Sequence, residues 1–163
     1  MLELVVVIVV ILALAAASYT RLAEMTESVE RTDFVRTLNR VQAQLTLKVA
    51  DWYAEGKVLS RHWVEETNPM TLIEVLPENY AGEFASYDLS HCPVANWCYL
   101  TDKQWLVYRV KYNRELSNGH KHQDVLVLKP HVTFTGSSGE SGLATALTLK
   151  PVYSFQWQNE NFD

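Results

Sequence analysis

Four groups of residues in this chain could do chemistry beyond packing: a cysteine pair, five histidines, a short glycine–serine run and one acid inside an apolar tract. Cys92 and Cys98 are the only cysteines and are separated by Pro-Val-Ala-Asn-Trp. An even pair at short spacing suits a disulfide in an oxidising compartment such as the periplasm, and closing so small a loop stabilises by roughly 2 kcal/mol. The rivals are a zinc site shared with His91 and a distant histidine, or two unrelated thiols. Five intervening residues are unusual for a zinc pair, and His120, His122 and His131 have no evident register with the cysteines. His62 and the other histidines read as surface or cap residues. Gly136-Ser137-Ser138-Gly139 falls between strand-like segments instead of opening a helix, so it reads as a turn and not a phosphate cradle. No nucleophile elbow or carboxylate pair occurs, so the residues give no positive sign of catalysis, of a metal or of a cofactor. Loop Trp and Tyr residues could bind a surface glycan, although core packing is their plainer role.

Glu3 stands just ahead of fourteen consecutive apolar residues, Leu4 to Ala17, with Leu4, Val7, Ile8, Ile11 and Leu14 among them. Counted with Met1-Leu2 and Ser18-Tyr19, the tract approaches the roughly 20 residues of a membrane span. A cleaved signal peptide would fit Ala15-Ala16-Ala17 followed by Ser18, but the basic n-region is absent and an acid takes its place. A helix buried in a soluble domain would be expected to show a polar face. The expectation is therefore a retained membrane helix. The nearest basic residue, Arg21, lies on the side this reading makes periplasmic, against the usual charge rule.

The elements that position these residues follow from periodicity. Apolar residues recur at Leu22, Met25 and Val29, and again at Leu38, Val41, Leu45, Val49 and Trp52, at the 3–4 spacing of an amphipathic helix. No Pro or Gly occurs between Met1 and Glu55, and Gly56 offers a C-cap. One helix of about 53 residues, about 80 Å long, is predicted. Residues 57–88 read as a connecting loop with a helical turn near Met70 to Val75. Strands are predicted at Trp97–Leu100, at Gln104–Tyr112, at Asp124–Phe134 (bent or held at an edge by Pro130) and over Leu143–Gln158 with a break near Pro151. The fold class is α+β: a long N-terminal helix, half membrane-spanning and half amphipathic, packed through Leu38–Trp52 on a small antiparallel sheet. The divisions are 1–20, 21–55 and 56–163. Net charge is −5. Residues 1–53 hold 5 basic and 6 acidic side chains and residues 54–163 hold 9 and 13, so neither part attracts nucleic acid.

The run Met1-Leu2-Glu3-Leu4-Val5-Val6-Val7-Ile8-Val9-Val10-Ile11-Leu12 resembles the processed start of type IV pilins and of the pseudopilins of type II secretion. Glu3 falls on that family's near-invariant acid, which implies that two residues and a basic leader normally precede Met1. Leu12 and Thr20 stand where many members have helix-bending Gly and Pro, which implies a straighter helix. Asn68-Pro69-Met70, Pro77-Glu78-Asn79-Tyr80-Ala81-Gly82-Glu83 and the Trp97–Val110 block resemble minor pilins of the mannose-sensitive haemagglutinin type pilus. The resemblance implies a minor pilin that helps to build a pilus or attach it to surfaces, with a pseudopilin or an unpolymerised tethered binding protein as alternatives. It also implies an inner-membrane location with the head in the periplasm and then on the pilus, and partners in other pilins, a leader peptidase and an assembly platform. Glu3 would pair with a neighbouring subunit's terminal amine and set the stagger between copies.

Overall fold

The computed structural model describes residues 2–85, 89–135, 140–158 and 160–162. Helix α1 runs Leu2–Ala54, 53 residues without a break, passing through Leu12 and Thr20. Its end is built as the sequence requires. Gly56 takes φ +65, open to it because it has no Cβ, and its N–H donates to the Tyr53 carbonyl at 3.1 Å while Lys57 N–H donates to Trp52 at 2.9 Å.

The chain then forms β1 (Val58–Ser60), α2 (Arg61–Glu66), a 3-10 turn at Pro69–Thr71, β2 (Tyr80–Phe84), a second 3-10 turn at Leu89–His91, β3 (Asn96–Leu100) and β4 (Trp105–Arg109). After these come β5 (Leu116–Asn118), β6 (Val125–Phe134), β7 (Ser141–Pro151), β8 (Phe155–Trp157) and β9 (Glu160–Phe162). A six-stranded sheet has the order β1-β7-β6-β4-β3-β2, and a three-stranded sheet the order β5-β8-β9. The connecting loop expected over 57–88 thus holds two strands and a helix. Ser60 caps α2 by accepting from Trp63 N–H at 3.3 Å, a signal carried by one serine in a stretch of weak periodicity. The antiparallel expectation also needs correcting: β2 pairs parallel to β3, so the large sheet is mixed. Pro130 lies in β6 two residues past Leu128, where the β4 ladder ends and β7 alone pairs, so its missing N–H breaks no ladder. The turn expected at Gly136–Gly139 lies outside the described residues.

The sheet packs on the helix as the stripe predicts. Val41, Leu45, Val49 and Trp52 are buried and Leu38 is half-buried, against Tyr99, Leu106, Leu126 and Leu147. The hub is a residue the stripe omitted. Phe34 is 1% exposed, with ring centroids 5.1 Å from Trp97 and Tyr108, 5.8 Å from Trp157 and 6.1 Å from Phe155, and so ties both sheets to the helix. Upstream the predicted stripe fails. Met25 and Val29 are 66% and 60% exposed, Leu22 is outside the described side chains, and Glu27 and Glu30 occupy the inward face.

The membrane-spanning half is overturned as well. Among the described residues no helix is long and apolar enough to cross a membrane, which removes both the spanning segment and the single-pass inner-membrane placement. The physical reason lies in the count. The uninterrupted apolar run is fourteen residues, about 21 Å at 1.5 Å per residue against a hydrocarbon core of roughly 30 Å. The tract approaches 20 residues only when Met1, Leu2, Glu3, Ser18 and Tyr19 are counted with it.

Candidate assembly surface

Chain growth from Leu2 produces a rod whose first part touches nothing else in the molecule's core. Ten large aliphatic side chains from Leu4 to Leu14 are 48–66% exposed, and they include Leu4, Val7, Ile8, Ile11 and Leu14. Glu3 is exposed at the tip of this rod. Valine and isoleucine on every side leave no polar face, so the segment presents an apolar surface in all directions around its axis.

The second part of α1 is held by side chains that serve as backbone partners for the head. Glu30 accepts from the Lys111 and Tyr112 N–H groups, each at 2.8 Å, and from the Tyr108 hydroxyl at 3.1 Å. Glu27 accepts from the Glu115 N–H at 2.9 Å and from the Trp157 indole N–H at 3.1 Å. The two acids are 1% and 8% exposed (Glu27 and Glu30), and they spend their lone pairs on donors that the irregular segment after β4 would otherwise leave open. Gln42 does the same for β7: its amide donates to the Leu147 carbonyl at 2.6 Å and accepts from Leu149 N–H at 2.9 Å. Gln44 brackets Val75 with a 3.0 Å donated and a 2.9 Å accepted bond. Burial and the adjacent Glu30 charge push the Tyr108 phenol well above its ordinary pKa. Sequence periodicity missed these four residues because it scores Glu and Gln as outward-facing. For Glu27, Glu30 and Gln42 the signal available was their 3–4 spacing with Phe34 and Leu38 on one face.

The two short head motifs meet in space. Asn68 is buried, its Oδ1 accepts from Met70 N–H at 2.9 Å, and its Nδ2 donates to Tyr80 Oη at 2.9 Å and to Glu83 Oε1 at 2.8 Å. Gly82 sits at φ +106 between them, a conformation that favours glycine. Burial is the largest cause raising the Tyr80 and Tyr99 phenols, with Glu83 adding to both, and Tyr99 reaches about 12. The arrangement fastens the loop before the first 3-10 turn to the edge strand β2. Its polar groups are turned on one another, which is a structural use of them.

Cys92 and Cys98 form a disulfide, with Cα atoms 6.1 Å apart. Bonded sulfurs offer no thiolate to a metal, and among the described residues no group of three or more His, Cys, Asp or Glu could hold one. His62 lies 2.9 Å from Glu66 and His131 3.3 Å from Glu65, while His120 and His122 pair with each other, so the histidines are spread over the head. The Gly136–Gly139 run lies outside the described residues.

No protein-family model, curated protein or solved structure matches this chain. A functional reading therefore rests on its own residues.

Proposed function

We propose that this chain is a minor pilin-like subunit of a type IV pilus, which assembles by burying the Leu4–Leu14 part of α1 against the same part of neighbouring subunits and displays its head outward for pilus building or attachment. The single observation that carries the reading is the row of ten exposed aliphatic side chains on a helix whose other half is firmly packed.

Magnitudes favour many neighbours over one. Taking ten half-exposed aliphatic side chains out of water contributes on the order of 10 kcal/mol. One partner helix covers only about a third of the circumference, and its roughly 3–5 kcal/mol is matched by the 4–15 kcal/mol cost of association. A bundle of several helices is needed before the balance becomes favourable. Glu3, at the start of the apolar row, then acts as the registration group, pairing with a cationic terminus across the interface and penalising any stagger that leaves its carboxylate alone in the bundle.

Single cysteines placed at Val7 and at Ile11 test this directly. The proposal expects rapid disulfide crosslinking between copies at both positions and none from a cysteine at exposed Thr32 on the packed half. Equal crosslinking at all three positions, or none at Val7 and Ile11, removes it.

A further inference from the structure

The face of the large sheet turned away from α1 carries a recess of about 170 Å³. Alternation along the strands explains its floor. Leu100, Val107, Val125 and Val127 point away from the helix because Tyr99, Leu106, Tyr108 and Leu126 point towards it. Trp105 forms one wall. Its ring stands edge-on to Tyr153 at 6.2 Å, and Tyr153 lies 5.1 Å from His120, so three rings brace one another along that side.

The rim is cationic in a chain whose net charge is −5. Lys103, His120, Lys121 and His122 all line the recess, and among the described residues no acid does. Asp102 stands in the adjoining turn and outside the lining. Arg109, on the same face of the sheet, is committed to Asp124 and to the Cys92 carbonyl at 2.9 Å, so it is not the cation on offer.

The loop bearing the histidines is shaped before any ligand arrives. Asn118 Oδ1 accepts from His120 N–H at 2.8 Å, and its Nδ2 donates to the Gln123 and Val125 carbonyls at 3.0 and 3.1 Å. His120 Nδ1 lies 3.2 Å from His122 N–H and 3.3 Å from the His122 carbonyl, so the loop backbone holds the ring in place through that nitrogen.

An apolar floor with an aromatic wall favours a flat, apolar ring. A rim with two ammonium groups favours an anion on that ring. The size is below the roughly 300–1,000 Å³ of ordinary ligand pockets, so one ring fills it. We propose that this recess binds a small aromatic acid, its ring against Trp105 and the valines and its carboxylate held between Lys103 and Lys121. The proposal is independent of the assembly reading.

Benzoate is the probe, titrated into the full chain labelled with ¹³C at histidine and held in a non-ionic detergent. The expected result is a saturable shift of the His120 and His122 resonances with a Kd of about 1 mM, while His62, His91 and His131 stay in place. Benzyl alcohol, which lacks the charge, and acetate, which lacks the ring, should each bind about fivefold more weakly or worse, and a Lys103→Ala/Lys121→Ala variant should lose a similar factor for benzoate. A shift that does not saturate, shifts shared by all five histidines, or undiminished benzoate affinity in the double variant overturns the assignment.

Discussion

The two halves of α1 are one continuous helix put to opposite uses. Between Leu4 and Leu14 its aliphatic side chains face outward on every side and touch no part of the head's core. From Glu27 to Trp52 one face is buried almost without exception, first by acids and then by Phe34, Val41, Leu45, Val49 and Trp52. The difference teaches that hydrophobicity alone does not say what a helix packs against. In the first half it is uniform and so cannot select a face; in the second half hydrogen bonds that Glu27, Glu30, Gln42 and Gln44 accept from head backbone N–H groups select the face and fix the register. The first half keeps its side chains exposed.

Substitutions that act on one half and spare the other sharpen this contrast. Phe34→Ala should have the largest effect on the head, a loss of about 3–5 kcal/mol in chemical denaturation, because the aromatic hub between the two sheets would be emptied. Glu30→Ala should follow at about 2–4 kcal/mol, since the Lys111 and Tyr112 N–H groups and the Tyr108 hydroxyl would lose their acceptor inside the fold. Met25→Ser, one turn away and 66% exposed, should change the melting transition little, within about 0.5 kcal/mol. If Met25→Ser proves as damaging as Glu30→Ala, the inward face has been misassigned. Cys98→Ser should cost about 2 kcal/mol in the same assay, with the Cys92–Cys98 loop released.

A further effect is expected at alkaline pH. Burial raises the Tyr99 phenol from 10.0 to about 12, and its hydroxyl donates to the Glu66 carbonyl at 2.8 Å. The folded value lies above the unfolded one, so the contribution of the neutral phenol is complete below pH 10 and is lost as pH rises through about 12. Stability measured by denaturation should therefore decline over that window, and Tyr99→Phe should flatten part of the decline. An identical slope in the variant would show that Tyr99 does not contribute to it.

Much of this architecture was legible in the residues. The absence of Pro and Gly up to Glu55, followed by Gly56, marked α1 to within a residue or two of its end. The Leu38–Trp52 spacing found the packed face, and the strand expected over Gln104–Tyr112 contains β4. What escaped did so for identifiable reasons. Met25 and Val29 imitate a stripe at the correct spacing, but the carboxylates on the neighbouring face find backbone donors, and a hydropathy pattern has no means of scoring that. The segment 57–88 hides β1, α2 and β2 because three- to six-residue elements are too short for periodicity to register. The parallel β2–β3 pairing depends on a long return of the chain that local turns do not encode. The apolar tract was read as a span by adding polar residues to a run too short to cross.

The central claim is that the Leu4–Leu14 surface joins copies of this chain. Sedimentation of the full-length protein beside its Ile8→Asp variant, with the head's melting transition measured on both, tests it most directly. The account predicts large assemblies for the unaltered chain, only small species for the variant, and the same melting transition for the two heads. Assemblies of equal size from both proteins would contradict it.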